Sequence, residues 1–165
     1  MTLTAQLLLA GRPVAGEGEP IYGVNPASSE QLAPGYAGAS PAQVAEACAL
    51  AEAAFEPYRH SAPAARAAFL EAIAAQIAAL GDALIERAML ETGLPRARLE
   101  GERGRTLGQL RLFAEVVRAG DWLGARLDSA QPQRAPLPRA DLRLQHLPLG
   151  PVAVFGASNF PLAFS

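Results

Sequence analysis

Between Ser40 and Gly120 the chain carries the punctuation of four successive helices, and this constrains its fold more than any other feature. Ser40 with Gln43 forms a capping box, and Pro41 occupies the first helical position, where a missing N–H costs nothing. Val44, Ala47, Cys48, Ala51 and Phe55 follow on one face at helical spacing, and Pro57 is expected to end the helix. Ser61 is a second candidate N-cap, before the stripe Phe69, Leu70, Ile73, Ile77 and Leu80. Asp82 is expected to cap a third helix carrying Leu84, Ile85, Ala88 and Met89, with Gly93 as its C-terminal cap. Pro95 opens a fourth, which runs to about Ala119 with Gly120 beyond it. Its stripe is Leu99, Arg103, Thr106, Leu110, Phe113 and Val117, alternating by four and three.

Two features interrupt this last helix. Gly101, Gly104 and Gly108 fall on roughly one side, each costing about 1 kcal/mol relative to alanine. Such a face is expected to admit a closely packed backbone. Arg103 stands within the apolar stripe, where a surface or paired structural arginine is favoured over ligand binding.

The flanking segments read as strands and turns. Gln6–Ala10 and Pro13-Val14 flank Gly11-Arg12, a candidate hairpin turn, and Ile21–Val24 is a further strand candidate ended by Asn25-Pro26. Residues 121–138 are turn-like, whereas Leu142–Leu147 alternates loosely as a half-exposed strand. Val152–Phe155 is a continuous apolar run, expected as a strand buried on both faces. Gly156 closes it, Ala157-Ser158-Asn159 makes a polar turn, and Pro161 fits the first turn of a helix. In open α/β sheets, ligands bind at such strand ends.

Composition excludes several classes of function. Half of the 165 residues are hydrophobic and 18% are charged, which describes a globular chain rather than a disordered one. A net charge of −2 offers no electrostatic case for nucleic acid. The fourteen basic residues are all Arg, so no Lys is available for a Schiff base or a phosphate. The single cysteine, Cys48, fits a reducing, cytoplasmic setting. Cys48 lies on an Ala-rich apolar face with no adjacent basic residue and is expected to be a buried, inert thiol. The start of the chain makes a poor signal peptide, and no stretch is long enough to span a membrane. His60 and His146 lack companions at metal-ligand spacing.

Gly156-Ala-Ser158-Asn-Phe160 half matches the nucleophile elbow G-x-S-x-G. The second Gly is replaced by Phe160 and no Asp and His follow, so serine hydrolysis is rejected. Asn159 is the residue most worth following. Its side chain could cap a helix through its oxygen, or donate from its amide to an oxyanion.

Pro148-Leu-Gly-Pro-Val-Ala-Val-Phe-Gly-Ala-Ser-Asn-Phe-Pro-Leu162 resembles the Asn-Phe-Pro turn of aldehyde dehydrogenases. Glu91-Thr-Gly-Leu-Pro95, Gly101-Glu-Arg-Gly-Arg-Thr106 and Ala157-Ser-Asn159 resemble the branch that oxidises α-ketoglutaric semialdehyde (2,5-dioxovalerate). The similarity runs from about Glu17 to the last residue. It implies an incomplete α/β fold, the amino-terminal part of that family's domain. A short hairpin, a helical part over about 37–120 and exposed strands over about 121–148 would be followed by the first strand of the nucleotide-binding sheet, within 151–165. The implied activity is NAD- or NADP-dependent oxidation of an aldehyde to an acid.

In that family a cysteine thiolate attacks the aldehyde, an Asn side chain and a backbone N–H hold the oxyanion, and a Glu activates the hydrolytic water. Asn159 matches the oxyanion donor. Phe155, Gly156, Ala157 and Ser158 match the strand end and turn beside the nicotinamide ribose, and Phe160 matches a wall of the substrate tunnel. Most members have Pro-Trp where this chain has Ala157-Ser158. Arg103 or Arg105 would suit the substrate's carboxylate. The family's nucleophilic Cys, general-base Glu and ribose-binding Lys lie downstream of these motifs, and Cys48 matches none of them. The chain is therefore expected to be a piece of a longer, homo-oligomeric enzyme and inactive alone. It should also be marginally stable, because a strand bred for a sheet interior lacks its neighbours. The competing expectation is a non-catalytic helical interaction module, or a decayed gene product.

Overall fold

The computed structural model describes residues 3–164. It holds four helices and three separate two-stranded antiparallel ribbons. The first ribbon pairs β1 (Leu7–Leu9) with β2 (Arg12–Val14), Leu9 facing Arg12. Its turn is Ala10-Gly11, one residue earlier than the sequence suggests. Both residues have positive φ, 48° and 77°, the primed geometry that matches strand twist and favours Gly in the second place. The second ribbon pairs β3 (Pro20–Val24) with β4 (Gln31–Ala37). Asn25 makes the turn between them, its Oδ1 accepting the Ala27 N–H at 2.9 Å. β4 was not legible, because Ala33-Pro34-Gly35 breaks its alternation. At Gly35 the Tyr22 ring crosses the strand closely: a Cβ would stand 2.6 Å from it, so any larger residue would have to push that ring aside.

The capping box at α1 (Pro41–Arg59) forms as expected. Ser40 Oγ accepts the Gln43 N–H, and Gln43 Oε1 accepts the Ser40 N–H at 3.0 Å. Gln43 is buried and also donates to the Ala15 carbonyl, tying the helix start to the first ribbon. Pro57 does not end α1. It lies in the last turn, where one lost backbone bond is tolerable, and the helix continues to Arg59. Cys48 is exposed, not buried. Val44 and Ala51 of the same face are exposed too, because no described element covers the middle of α1.

Ser61 caps nothing: its hydroxyl donates to the Tyr58 carbonyl at 2.6 Å, and α2 (Pro63–Ala79) starts from Ala62. α3 (Gly81–Thr92) begins at an elbow with α2, bent by 73°. Asp82 lies inside its first turn rather than at the cap and pairs with Arg96 at 3.0 Å. Asp82, and then Glu100, hold the Arg96 guanidinium above its usual pKa range. Gly93 and Gly120 terminate α3 and α4 (Arg96–Ala119) in the left-handed conformation.

The most extensive contact between helices joins α2 to α4. Its buried residues are Ala67, Ala74 and Ala114, while Phe69 of the expected stripe is largely exposed. Small side chains let two helix backbones approach, so the alanines rather than the bulky residues define the seam. The chief apolar cluster lies between α3 and α4, where Ile85, Ala88 and Leu99 are packed by Met89, Leu94 and Leu162. Gly101, Gly104 and Gly108 receive no packed backbone. A Cβ on any of them would meet nothing within 4 Å.

Arg118 fastens α4 to Glu71 of α2 through two bonds of 2.6 and 2.7 Å. These hydrogen bonds hold the Glu71 carboxyl below the usual glutamate range. A carboxyl lowered on folding stabilises the fold above its unfolded pKa, and that contribution disappears as pH falls through the folded value. The difference in unfolding free energy between the native chain and Glu71→Gln should therefore shrink from neutral pH into acid. A difference that persisted undiminished in acid would count against this pair.

Beyond α4, a 3-10 turn (Asp121–Leu123) leads to β5 (Arg126–Asp128), which pairs with β6 (Leu142–Leu144). β5 was hidden among turn signals. The expected strand 142–147 is only three residues long, and both its leucines are exposed rather than half-buried. The largest departure is Val152–Phe155. This run forms no strand, and Val152 and Phe155 are 72% and 90% exposed. A strand exists through its ladder partners, and none of the three ribbons reaches this segment. The total accessible surface agrees. It is 11605 Å², against about 7,800 Å² for a compact monomer of this mass.

Candidate active-site turn

The polar turn after the apolar run is bound to α4. Phe160 N–H bonds back to the Ala157 carbonyl at 3.3 Å, and Ala163 N–H to the Phe160 carbonyl at 3.3 Å, giving two consecutive turns. Pro161 thus starts no helix among the described residues, so the helix-cap explanation of Asn159 has no helix to serve. Ser158 and Asn159 are exposed. The Asn159 carbonyl accepts from an Arg98 guanidinium nitrogen at 2.9 Å, and its side-chain amide has no hydrogen-bond partner among the described residues.

Four side chains from successive turns of α4 meet this segment. The Arg98 guanidinium carbon lies 5.0 Å from the centre of the Phe160 ring, and Arg105 lies 4.4 Å from that of Phe164. The two rings meet edge to face at 4.8 Å. Thr106 Oγ1 donates to the Leu162 carbonyl at 2.6 Å. Glu102 Oε1 accepts both the Leu162 N–H, at 3.0 Å, and the Ala163 N–H, at 3.2 Å. Leu162 then places its side chain against the α3–α4 cluster.

Of the residues singled out from sequence, Asn159, Phe160 and Arg105 come together on this side of α4. Arg103 does not join them through its hydrogen bond. Its guanidinium donates to the Gly81 carbonyl at 2.7 Å, closing the α2–α3 elbow. Glu102 was missed. It lies three residues after Leu99 and four before Thr106, so the face that both share carries an acid, and that was the available signal.

Phe155, Gly156, Ala157 and Ser158 are all exposed, and the last three have small side chains. Backbone with so little bulk leaves the segment open to close approach by a ligand. The segment supplies no cation, and no helix N-terminus follows it to take a phosphate. An open apolar groove of about 610 Å³ lies elsewhere, between the end of α1, α4 and the 3-10 turn, with Phe55, Phe113 and Trp122 in its wall.

The family model described as "Aldehyde dehydrogenase family" matches residues 14–165. This chain belongs to the aldehyde dehydrogenase family. Over its full length it is 61% identical to alpha-ketoglutaric semialdehyde dehydrogenase 2 of Azospirillum brasilense, covering 32% of that protein. It is 50% identical to alpha-ketoglutaric semialdehyde dehydrogenase of Acinetobacter baylyi over 94% of this chain and 30% of that one. The chain thus spans about a third of the length of the curated relatives it matches. Among solved structures, an NAD-dependent benzaldehyde dehydrogenase from Corynebacterium glutamicum superposes with a TM-score of 0.69 over 81% of this chain and 28% of that one, at 20% identity. The helices and ribbons are therefore an aldehyde dehydrogenase arrangement, and the expectation of α/β family membership holds.

Proposed function

We propose that this chain supplies the oxyanion-binding turn of an NAD(P)-dependent enzyme that oxidises α-ketoglutaric semialdehyde to 2-oxoglutarate. The 61% identity to a protein of that name, maintained across the whole chain, carries the reading. Addition of a thiolate to the aldehyde carbon turns the carbonyl oxygen into an alkoxide. The free side-chain amide of Asn159 donates to that oxygen, and Phe160 walls the path by which the aldehyde arrives. NAD(P), when bound, supplies the acceptor for the two electrons removed. Phe155 to Ser158 would hold its ribose side.

The thiolate is not assigned to Cys48, whose neighbours one turn away are Val44 and Glu52 rather than a cation. Arg105 is better placed than Arg103 for the substrate's carboxylate, because Arg103 is committed to the elbow. The exposed β5–β6 ribbon is the segment we assign to contacts between subunits.

The 165-residue chain incubated with α-ketoglutaric semialdehyde and NAD or NADP should give no turnover. The chain joined in frame to the remaining segment of the Azospirillum enzyme should oxidise that aldehyde. A folded fusion that ignored it would overturn the reading. In the same fusion, Arg105→Ala should raise KM for the acidic aldehyde about tenfold, the worth of one charge-assisted hydrogen bond. KM for a neutral aldehyde should be unchanged; equal effects on both would remove Arg105 from carboxylate recognition.

A further inference from the structure

We propose that Glu102 is a positioning residue for Asn159, acting through the two backbone amides it grips; the inference rests on the oxyanion role given to Asn159 above. Turn 157–164 belongs to no helix or strand, so no ladder takes up its backbone groups. Two weak internal turn bonds take the Phe160 N–H and share the Ala163 N–H, and α4 supplies the other partners. Glu102 Oε1 takes the N–H groups of Leu162 and Ala163, Thr106 takes the Leu162 carbonyl, and Arg98 takes the Asn159 carbonyl. Leu162 is thereby fixed at its amide, its carbonyl and its side chain, three residues from Asn159.

The choice of a carboxylate at 102 is not explained by packing. Glu102 is 6% exposed, and its second oxygen, Oε2, is buried with no hydrogen-bond partner among the described residues. A buried oxygen left unpaired is unfavourable. An apolar side chain would fill the space without that cost, but it would orphan the Leu162 N–H. The residue thus trades its own desolvation for the geometry of the turn. Glu102 is anchored for the purpose, because Leu99, one turn earlier, is completely buried against Ile85. Rigidity of the α3–α4 core is passed through one carboxylate to a turn that has little core of its own. Small displacements of a group that meets a developing charge are costly, since about 1 Å of misplacement can lose a hundredfold in rate.

The first test uses the 165-residue chain itself. Amide hydrogen exchange is followed by NMR in Glu102→Ala and Glu102→Gln, with the cap amides of Gly93 and Gly120 as internal references. Glu102→Ala should speed exchange at Leu162 about tenfold, the loss of one good acceptor. Glu102→Gln, which keeps an acceptor oxygen, should restore much of the protection, and the two references should not move. Unchanged exchange at Leu162 overturns the clasp. If Glu102→Ala unfolds the chain, so that every amide exchanges quickly, Glu102→Leu takes its place: it fills the space without an acceptor and should speed exchange at Leu162 while the two references stay still.

The second test is a double-mutant cycle in the fusion enzyme. Glu102→Ala should lower kcat with little change in KM on the native background, and should have no further effect on an Asn159→Ala background. Additive losses would show that Glu102 stabilises the fold without acting through Asn159. An Asn159→Ala variant of full activity would dismiss the oxyanion role while leaving the exchange result standing.

Discussion

Replacing Asn159 by Ala in the fusion enzyme is expected to lower kcat by about 10²–10³, the measured worth of a single oxyanion donor. KM for the aldehyde should change little, because the amide meets a charge that develops only after attack has begun. Two structural facts make this outcome specific. The Asn159 side chain is exposed and has no hydrogen-bond partner among the described residues, so its removal breaks no hydrogen bond among them. The backbone of the same residue is held by Arg98, so Ala at 159 should keep the path of the turn. A loss confined to kcat, with unaltered thermal stability, is the signature sought. A matching fall in melting temperature would mean that the residue supports structure instead.

Leu99→Ala is expected to have the largest effect on stability, about 3–5 kcal/mol. Leu99 and Ile85 are the largest fully buried side chains among the described residues, and they lie in one cluster. The rest of the buried set is mainly alanine, which has little volume with which to close a cavity. A chain that exposes about half as much surface again as a compact protein of its mass has a small reserve, so the substitution should abolish cooperative unfolding in the isolated chain. Urea titration followed by circular dichroism measures this. A Leu99→Ala chain with the native midpoint would place the stabilising contacts elsewhere. The expectation of marginal stability faces the same experiment, since a sharp, reversible transition in the native monomer would contradict it.

The helices were readable because their signals are local. A capping box, a proline at the first helical position and glycines at the C-terminal caps act within one turn of chain, and all three reappear at Ser40, Pro41, Gly93 and Gly120. What failed depends on partners distant in sequence. The run Val152–Phe155 has the composition of a sheet interior, yet strand formation needs ladders that no described ribbon provides. The exposed Cys48 and the open glycine face of α4 fail for the same reason, because burial is conferred by whatever packs opposite. Asn159 was legible through its motif. Glu102 was legible only as an acid on the face of Leu99 and Thr106; its partners are backbone amides 60 and 61 residues away, so spacing could not say what it holds.

Residues 102 and 103 are neighbours with separate obligations. One grips the Leu162 and Ala163 amides, and the other grips the Gly81 carbonyl at the α2–α3 elbow. Successive side chains on a helix point about 100° apart, so the helical phase of α4 sets both attachments at once. Inserting or deleting one residue between Leu99 and Glu102 would rotate the two grips off their targets while leaving the apolar content of the helix intact. α4 therefore acts as an index that keys the elbow to the turn. Length variation should be tolerated in the loops on either side of it long before it is tolerated within it.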